Sequence, residues 1–147
     1  MTMDNPGAFV VYVPSFDFGS DAILLLSDYY TIAWLVDQFL RLSTSPIGSV
    51  ASFVIGDGSP IDSEERCFVT VTVTDTDSSS EMTRRSATQF AWRISRPEAE
   101  RYRALLSCML TKVPSHNYLE PKNSPPAPVL VVSRDEYSVE QFRTSKT

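Results

Sequence analysis

His116 is the only histidine in this 147-residue sequence, and so the only side chain whose ordinary pKa suits proton transfer near neutral pH. Asn117 and Glu120 follow closely enough to orient an imidazole, and Ser115 precedes it. Adjacency to Ser115 does not make a triad, and the chain holds no Gly-x-Ser-x-Gly elbow. The same residues suit a turn that satisfies the open carbonyls at the end of a preceding helix. That structural role is the expectation here. One histidine also removes almost every His-based metal site.

The two cysteines point the same way. Cys67 alternates with Val69, Val71 and Val73, which makes it an inert core thiol. Cys108 falls opposite a Tyr102-Leu106-Met109 stripe, with Lys112 one turn on and Arg101 two turns back. Cations lower a thiol pKa, but carbonyls at a helix C-terminus oppose a thiolate. The run Asp75-Thr76-Asp77-Ser78-Ser79-Ser80-Glu81 opens like a calcium loop. It carries Ser80 where glycine belongs and Ser86 where a bidentate glutamate belongs, so an acidic, solvated loop is expected. Five glycines, scattered singly, supply no phosphate cradle. No catalytic set, metal site or cofactor is expected.

The elements that position these groups follow from periodicity. Residues 9–13 and 22–26 read as strands rich in branched and aromatic side chains. Ser27-Asp28 is a helix start, and Ile32, Leu35, Val36, Phe39 and Leu42 form one apolar stripe over a helix at 28–42. Residues 50–55, 67–74 and 86–94 read as three more strands, with a polar hairpin tip at 75–82. Ser95-Arg96-Pro97-Glu98 is a capping box that opens a second helix, ended by Pro114. A proline-rich connector at 121–128 leads to a last strand at 129–133, and the tail at 138–147 is expected to fray. The expected fold is therefore α+β in a single domain spanning 1–147. It has one mostly antiparallel sheet of about six strands, covered on one face by two helices, with no visible repeat.

On the first helix, Tyr30, Trp34, Asp37 and Arg41 lie opposite the apolar stripe. An aromatic pair left on a solvent face is costly, and both residue types are enriched at binding hot spots. Either a partner covers it, or residues 14–20 or the C-terminal tail do. The charges add a second clue. Residues 1–83 carry twelve acids against Arg41 and Arg66, a net of −10. Residues 84–147 carry eleven bases and six acids, a net of +5. An acidic half argues against nucleic acid and for a protein partner with a basic surface, unless the halves interleave and neutralise one another. Asp75, Asp77 and Glu81 join the helix residues as expected partner contacts.

Two cysteines are too few for a disulfide scaffold. The N-terminus lacks the pattern of a signal peptide, and the longest apolar run, residues 22–26, is far short of a membrane span. A cytoplasmic location with reduced thiols and no membrane partner is expected.

His116-Asn117-Tyr118-Leu119-Glu120, followed by Ser133-Arg134-Asp135-Glu136-Tyr137, resembles the closing segment of small uncharacterised bacterial proteins, some of immunity type. Those carry a His-x-Tyr-Leu-acid turn and a strand ending in Ser-x-x-Glu-Tyr; here a long proline-containing insert separates the two parts. The resemblance covers about 22 residues, implies no catalytic residues, and is compatible with the two parts lying side by side as a structural lock. The expected function is a small acidic binding protein of immunity type that occludes a basic partner. An enzyme using His116 with Glu120 or Glu136, and a self-associating subunit, are the alternatives.

Overall fold

The computed structural model describes residues 9–17, 20–56, 67–74, 81–112, 115–120 and 128–134. Its elements run β1 (Phe9–Asp17), β2 (Ser20–Ser27), α1 (Tyr29–Ser43), β3 (Ser52–Ile55), β4 (Phe68–Thr74), β5 (Glu81–Arg84), β6 (Gln89–Ser95), α2 (Arg96–Ser107), β7 (Ser115–Leu119) and β8 (Val129–Arg134). A single 3-10 turn, Cys108–Leu110, extends α2.

Both helices start where their caps dictate. The Asp28 carboxylate accepts from the Thr31 amide at 2.9 Å, filling one of the donors that a helix start leaves open. At α2, Ser95 Oγ accepts from the Glu98 amide at 3.2 Å, and Glu98 Oε1 accepts from the Ser95 amide at 3.0 Å. That is a complete capping box.

The class is α+β, but the single six-stranded sheet gives way to two mixed sheets of four, ordered β1-β2-β8-β7 and β3-β4-β6-β5. In each, two antiparallel hairpins join through a parallel central pair, β2 with β8 and β4 with β6. Two strands escaped the sequence reading because only one side chain in each is buried: Met82 in β5 and Leu119 in β7. With so little apolar alternation, their pairing is decided by the neighbouring strand. The segment 75–82 expected as a hairpin tip therefore ends in β5. The turn expected around His116 is β7, an edge strand beside β8. The expected tail at 138–147 and most of the connector at 121–128 fall outside the described residues.

A repeat is present, contrary to expectation. The halves β1-β2-α1-β3-β4 and β5-β6-α2-β7-β8 share one ββαββ order, and moving each strand four places on converts one sheet into the other. Pairing senses match throughout. So do core positions: Ile32, Leu35, Phe39 and Leu42 of α1 correspond to Ala99, Tyr102, Leu106 and Met109, each 67 positions further on and each buried. Leu25, beside Val10 and Val132, corresponds to Trp92, beside Met82 and Val71. The repeat hides in the sequence because the layers keep their spacing while the residues change size.

One apolar core joins the two helices to both sheets. Phe39 meets Tyr102 across the helix pair with ring centroids 5.8 Å apart, and Trp92 meets Tyr102 at 5.2 Å. A smaller cluster, Val11, Ala22, Leu24 and Val131, lies on the opposite face of the β1-β2-β8-β7 sheet.

Candidate functional site

The structure divides the four helix residues that were expected to share a solvent face. Tyr30 is 72% exposed, whereas Trp34 is 4% exposed, a correction to its expected placement. At about 100° per residue, position 34 stands on the flank of the Leu35 stripe and not opposite it. From that flank the indole meets the Phe53 ring of β3 edge-on at 5.6 Å, and Phe53 in turn meets Phe39 at 5.2 Å. Arg41 turns to the same side. Its guanidinium donates to Gln38 Oε1 at 3.0 Å and to the Ser52 carbonyl at 2.7 Å, tying α1 to β3. Asp37 is half-buried. Trp34 and Arg41 therefore hold the helix in place, and the Tyr30 ring stands out in solvent.

Tyr29 flanks Tyr30. Tyr29 is 47% exposed and meets Tyr30 edge-on at 5.8 Å. Beneath it the Arg134 guanidinium lies 5.5 Å from the Tyr29 ring and donates to the Met109 carbonyl, so one buried cation anchors the first turn of α1 to the end of α2. Leu40, on the last turn of the outward side, is 42% exposed.

The loop after α1 continues the apolar display with Ile47 at 86% and Val50 at 81% exposure. It is held firmly. The Ser49 amide donates to the Pro46 carbonyl at 3.0 Å, and Gly48 takes φ +91°, the conformation that the third residue of a type II turn demands. Arg96, from the start of α2, donates to the Ser45 carbonyl at 2.9 Å and the Pro46 carbonyl at 2.6 Å. Tyr29, Leu40, Ile47, Val50 and the Arg96 clamp were missed in the sequence. The available signal was two branched aliphatics in a Pro-Ile-Gly-Ser-Val turn, where polar residues are usual.

The repeat supplies a control. On α2 the positions equivalent to Tyr29 and Tyr30 are Arg96 and Pro97, and its outward side carries Glu100, Arg101 and Arg103. Glu100 and Arg103 form an ion pair that holds the carboxyl below its usual range and the guanidinium above its own. Between equivalent positions the offset is 67 residues on the helices and 64 from Phe53 to Asn117. The loop after α1 is thus three residues longer than its counterpart, and that excess falls in the stretch displaying Ile47 and Val50.

The remaining expected sites disperse. Glu81 stands on β5 and pairs with Arg93 across the strands. Asp75 and Asp77 lie outside the described residues, as does Glu136. His116 is exposed on β7 with its ring 5.5 Å from Tyr118, and Asn117 donates to the Leu105 carbonyl at 3.4 Å. In register His116 faces Ser133 and Ser115 faces Arg134, while residues 135–137 of the second segment lie outside the described residues. Cys67 is buried, and burial pushes its thiol up to about 12. Cys108 is exposed, its thiol donating to the Ala104 carbonyl at 3.6 Å. Tyr12 donates to Asp21, a bond that, with burial, raises its phenol pKa.

Among the described residues no group of three His, Cys, Asp or Glu side chains is arranged to hold a metal ion. No described helix is long and apolar enough to cross a membrane. No protein-family model, curated protein or solved structure matches the chain.

The acidic and basic halves coincide closely with the two ββαββ units, and the units interleave at the centre of both sheets. Arg84 of the second unit lies 4.4 Å from the centre of the Tyr12 ring in the first.

Proposed function

We propose that this protein is a non-catalytic protein-binding module that offers the outward side of α1 and the turn after it to a protein with a basic surface. One observation carries the reading. Of the seven exposed large apolar side chains among the described residues, five lie between positions 29 and 50: Tyr29, Tyr30, Leu40, Ile47 and Val50. Exposed apolar groups scattered singly need no explanation, but their concentration on one helix and its loop does. Tyrosine suits the task because it brings a large, stiff contact area together with a hydroxyl.

Because the units interleave at the centre of both sheets, local charge decides, and the carboxylates along α1 favour a basic partner. Asp28 is exposed beside the tyrosine pair, Asp37 stands two turns along, and Asp75 and Asp77 add two negative charges to the first unit. In this mechanism the carboxylates speed encounter, and burial of Tyr30 slows release. An immunity-type inhibitor, which blocks a basic toxin by occupying its surface, is the form of binding module that the closing-segment resemblance supports.

The test is affinity capture on the immobilised protein, followed by binding kinetics with the purified captured protein. Tyr30→Ala should raise the dissociation rate by about 30-fold, the effect of a hot spot worth about 2 kcal/mol. Reversing Asp75 and Asp77 to lysine should lower the association rate at low salt. Capture that survives Tyr30→Ala and Ile47→Asp unchanged would remove this face from the reading.

A further inference from the structure

We propose that two copies of this chain can exchange units, the β1–β4 unit of one copy completing its sheets with the β5–β8 unit of the other. The inference is independent of the binding face and rests on where the strand pairings run. Within the first unit, the β1-β2 hairpin and the β3-β4 hairpin belong to different sheets. Within the second, β5-β6 and β7-β8 are likewise divided. The central parallel pairs of both sheets, β2 with β8 and β4 with β6, run between units. The core behaves in the same way: Phe39 on Tyr102, and Trp92 in register beside Val71, are contacts from one unit to the other.

A unit therefore presents two half-sheets and one helix whose apolar sides await a second ββαββ unit. Nothing in that surface distinguishes the unit at the other end of the same chain from the same unit of another copy. A two-copy assembly reproduces every contact between units and changes only the course of residues 75–80, which join β4 to β5. This is the condition for domain swapping, and the length of the joining segment sets the balance.

The geometry says which length tips it. Thr74 is in register with Ser95, Glu81 is in register with Arg93, and β5 lies beyond β6 from β4. The connection must cross two strand spacings, about 10 Å, at the end where β6 passes straight into α2, whose girth is itself about 10 Å. Six residues give seven steps and reach about 24 Å; two residues give three steps and reach about 10 Å. The shorter link has no slack to pass the start of α2, and the units of one chain can then pair only with those of another.

The experiment deletes residues 76–79 from the full chain and reads molar mass by light scattering. The expected result is a folded species of twice the mass of the shortened chain, which is itself slightly lighter than the 16.4 kDa of the full one. A second reading identifies the exchange. Thr70 and Ala91 are register partners on β4 and β6, close enough for a disulfide when both are cysteine. In a Cys108→Ser background, oxidised Thr70→Cys/Ala91→Cys should run as a covalent dimer on a non-reducing gel when residues 76–79 are deleted, and as a monomer when they are kept. A folded monomer after the deletion overturns the proposal, as does a dimer whose disulfides all lie within chains. Should the deletion variant not fold, the full-length double-cysteine chain, refolded from urea at millimolar concentration, decides: interchain disulfides support exchange, and their absence overturns it.

Discussion

Replacing Trp34 by alanine separates a residue that builds the protein from one that displays it. The indole is 4% exposed and lies edge-on against Phe53, itself packed on Phe39, so truncation empties a volume bordered by rings that cannot close over it. Buried tryptophan-to-alanine changes cost about 3–5 kcal/mol, of which about 1 kcal/mol belongs here to the lost ring-edge contact. For a domain of this length each kcal/mol lowers Tm by about 2–4 °C, so the expected fall is about 6–20 °C. Thermal unfolding followed by far-UV circular dichroism measures the fall in Tm, and urea unfolding followed by the emission of Trp92, then the one tryptophan left, measures the free-energy loss with an unchanged slope with denaturant. Tyr30→Ala, made beside it, should alter stability by no more than about 0.5 kcal/mol, because that ring is 72% exposed. A loss below about 1 kcal/mol for Trp34→Ala, or equal losses for both variants, would refute the division of the helix into a packed flank and a displayed face.

Two further expectations concern the frame that carries this face. Gly56 takes φ +100°, and a Cβ there would sit 3.0 Å from Phe68 Cβ and 3.1 Å from the Cys67 carbonyl oxygen. Gly48 takes φ +91° with nothing within 4 Å. Gly48→Ala should thus cost only its backbone strain, about 1 kcal/mol, and Gly56→Ala clearly more; equal denaturation midpoints would contradict this. The Cys67 thiol, raised by burial from 9.0 to about 12, is protonated in the fold where the unfolded chain would ionise it. The stability from this neutral thiol is fully present below pH 9 and is lost at about 1.4 kcal/mol per pH unit as pH climbs towards 12. Cys67→Ala should remove that share of the alkaline decline, and parallel curves for the two proteins between pH 9 and 12 would count against it.

Much of this structure is legible residue by residue. Asp28 and the Ser95–Glu98 box mark both helix starts because capping is local, completed within four residues of chain. Val69, Val71 and Val73 announce β4 because alternation maps directly onto the two faces of a strand. β5 and β7 were not legible, since each buries a single side chain and owes its conformation to a neighbour distant in sequence. Of the candidate face, Tyr30 could be picked out on its helix, but the fate of Trp34 could not. A residue on the flank of a stripe is exposed or buried according to what stands beside the helix, and here that is Phe53, nineteen positions on.

Amino-acid order alone specifies the α+β class, both helices, the main core strands, the buried setting of Cys67 and a division of charge whose boundary falls close to that between the two structural units. Those properties depend on near neighbours, on periodicity or on counting. Long-range packing selects the rest: four hairpins form two sheets, the halves repeat, and the turn at Pro46–Ser49 is clamped by Arg96 from the other unit. Each of these joins residues far apart in the chain, and such pairings are selected by the packing of the whole core.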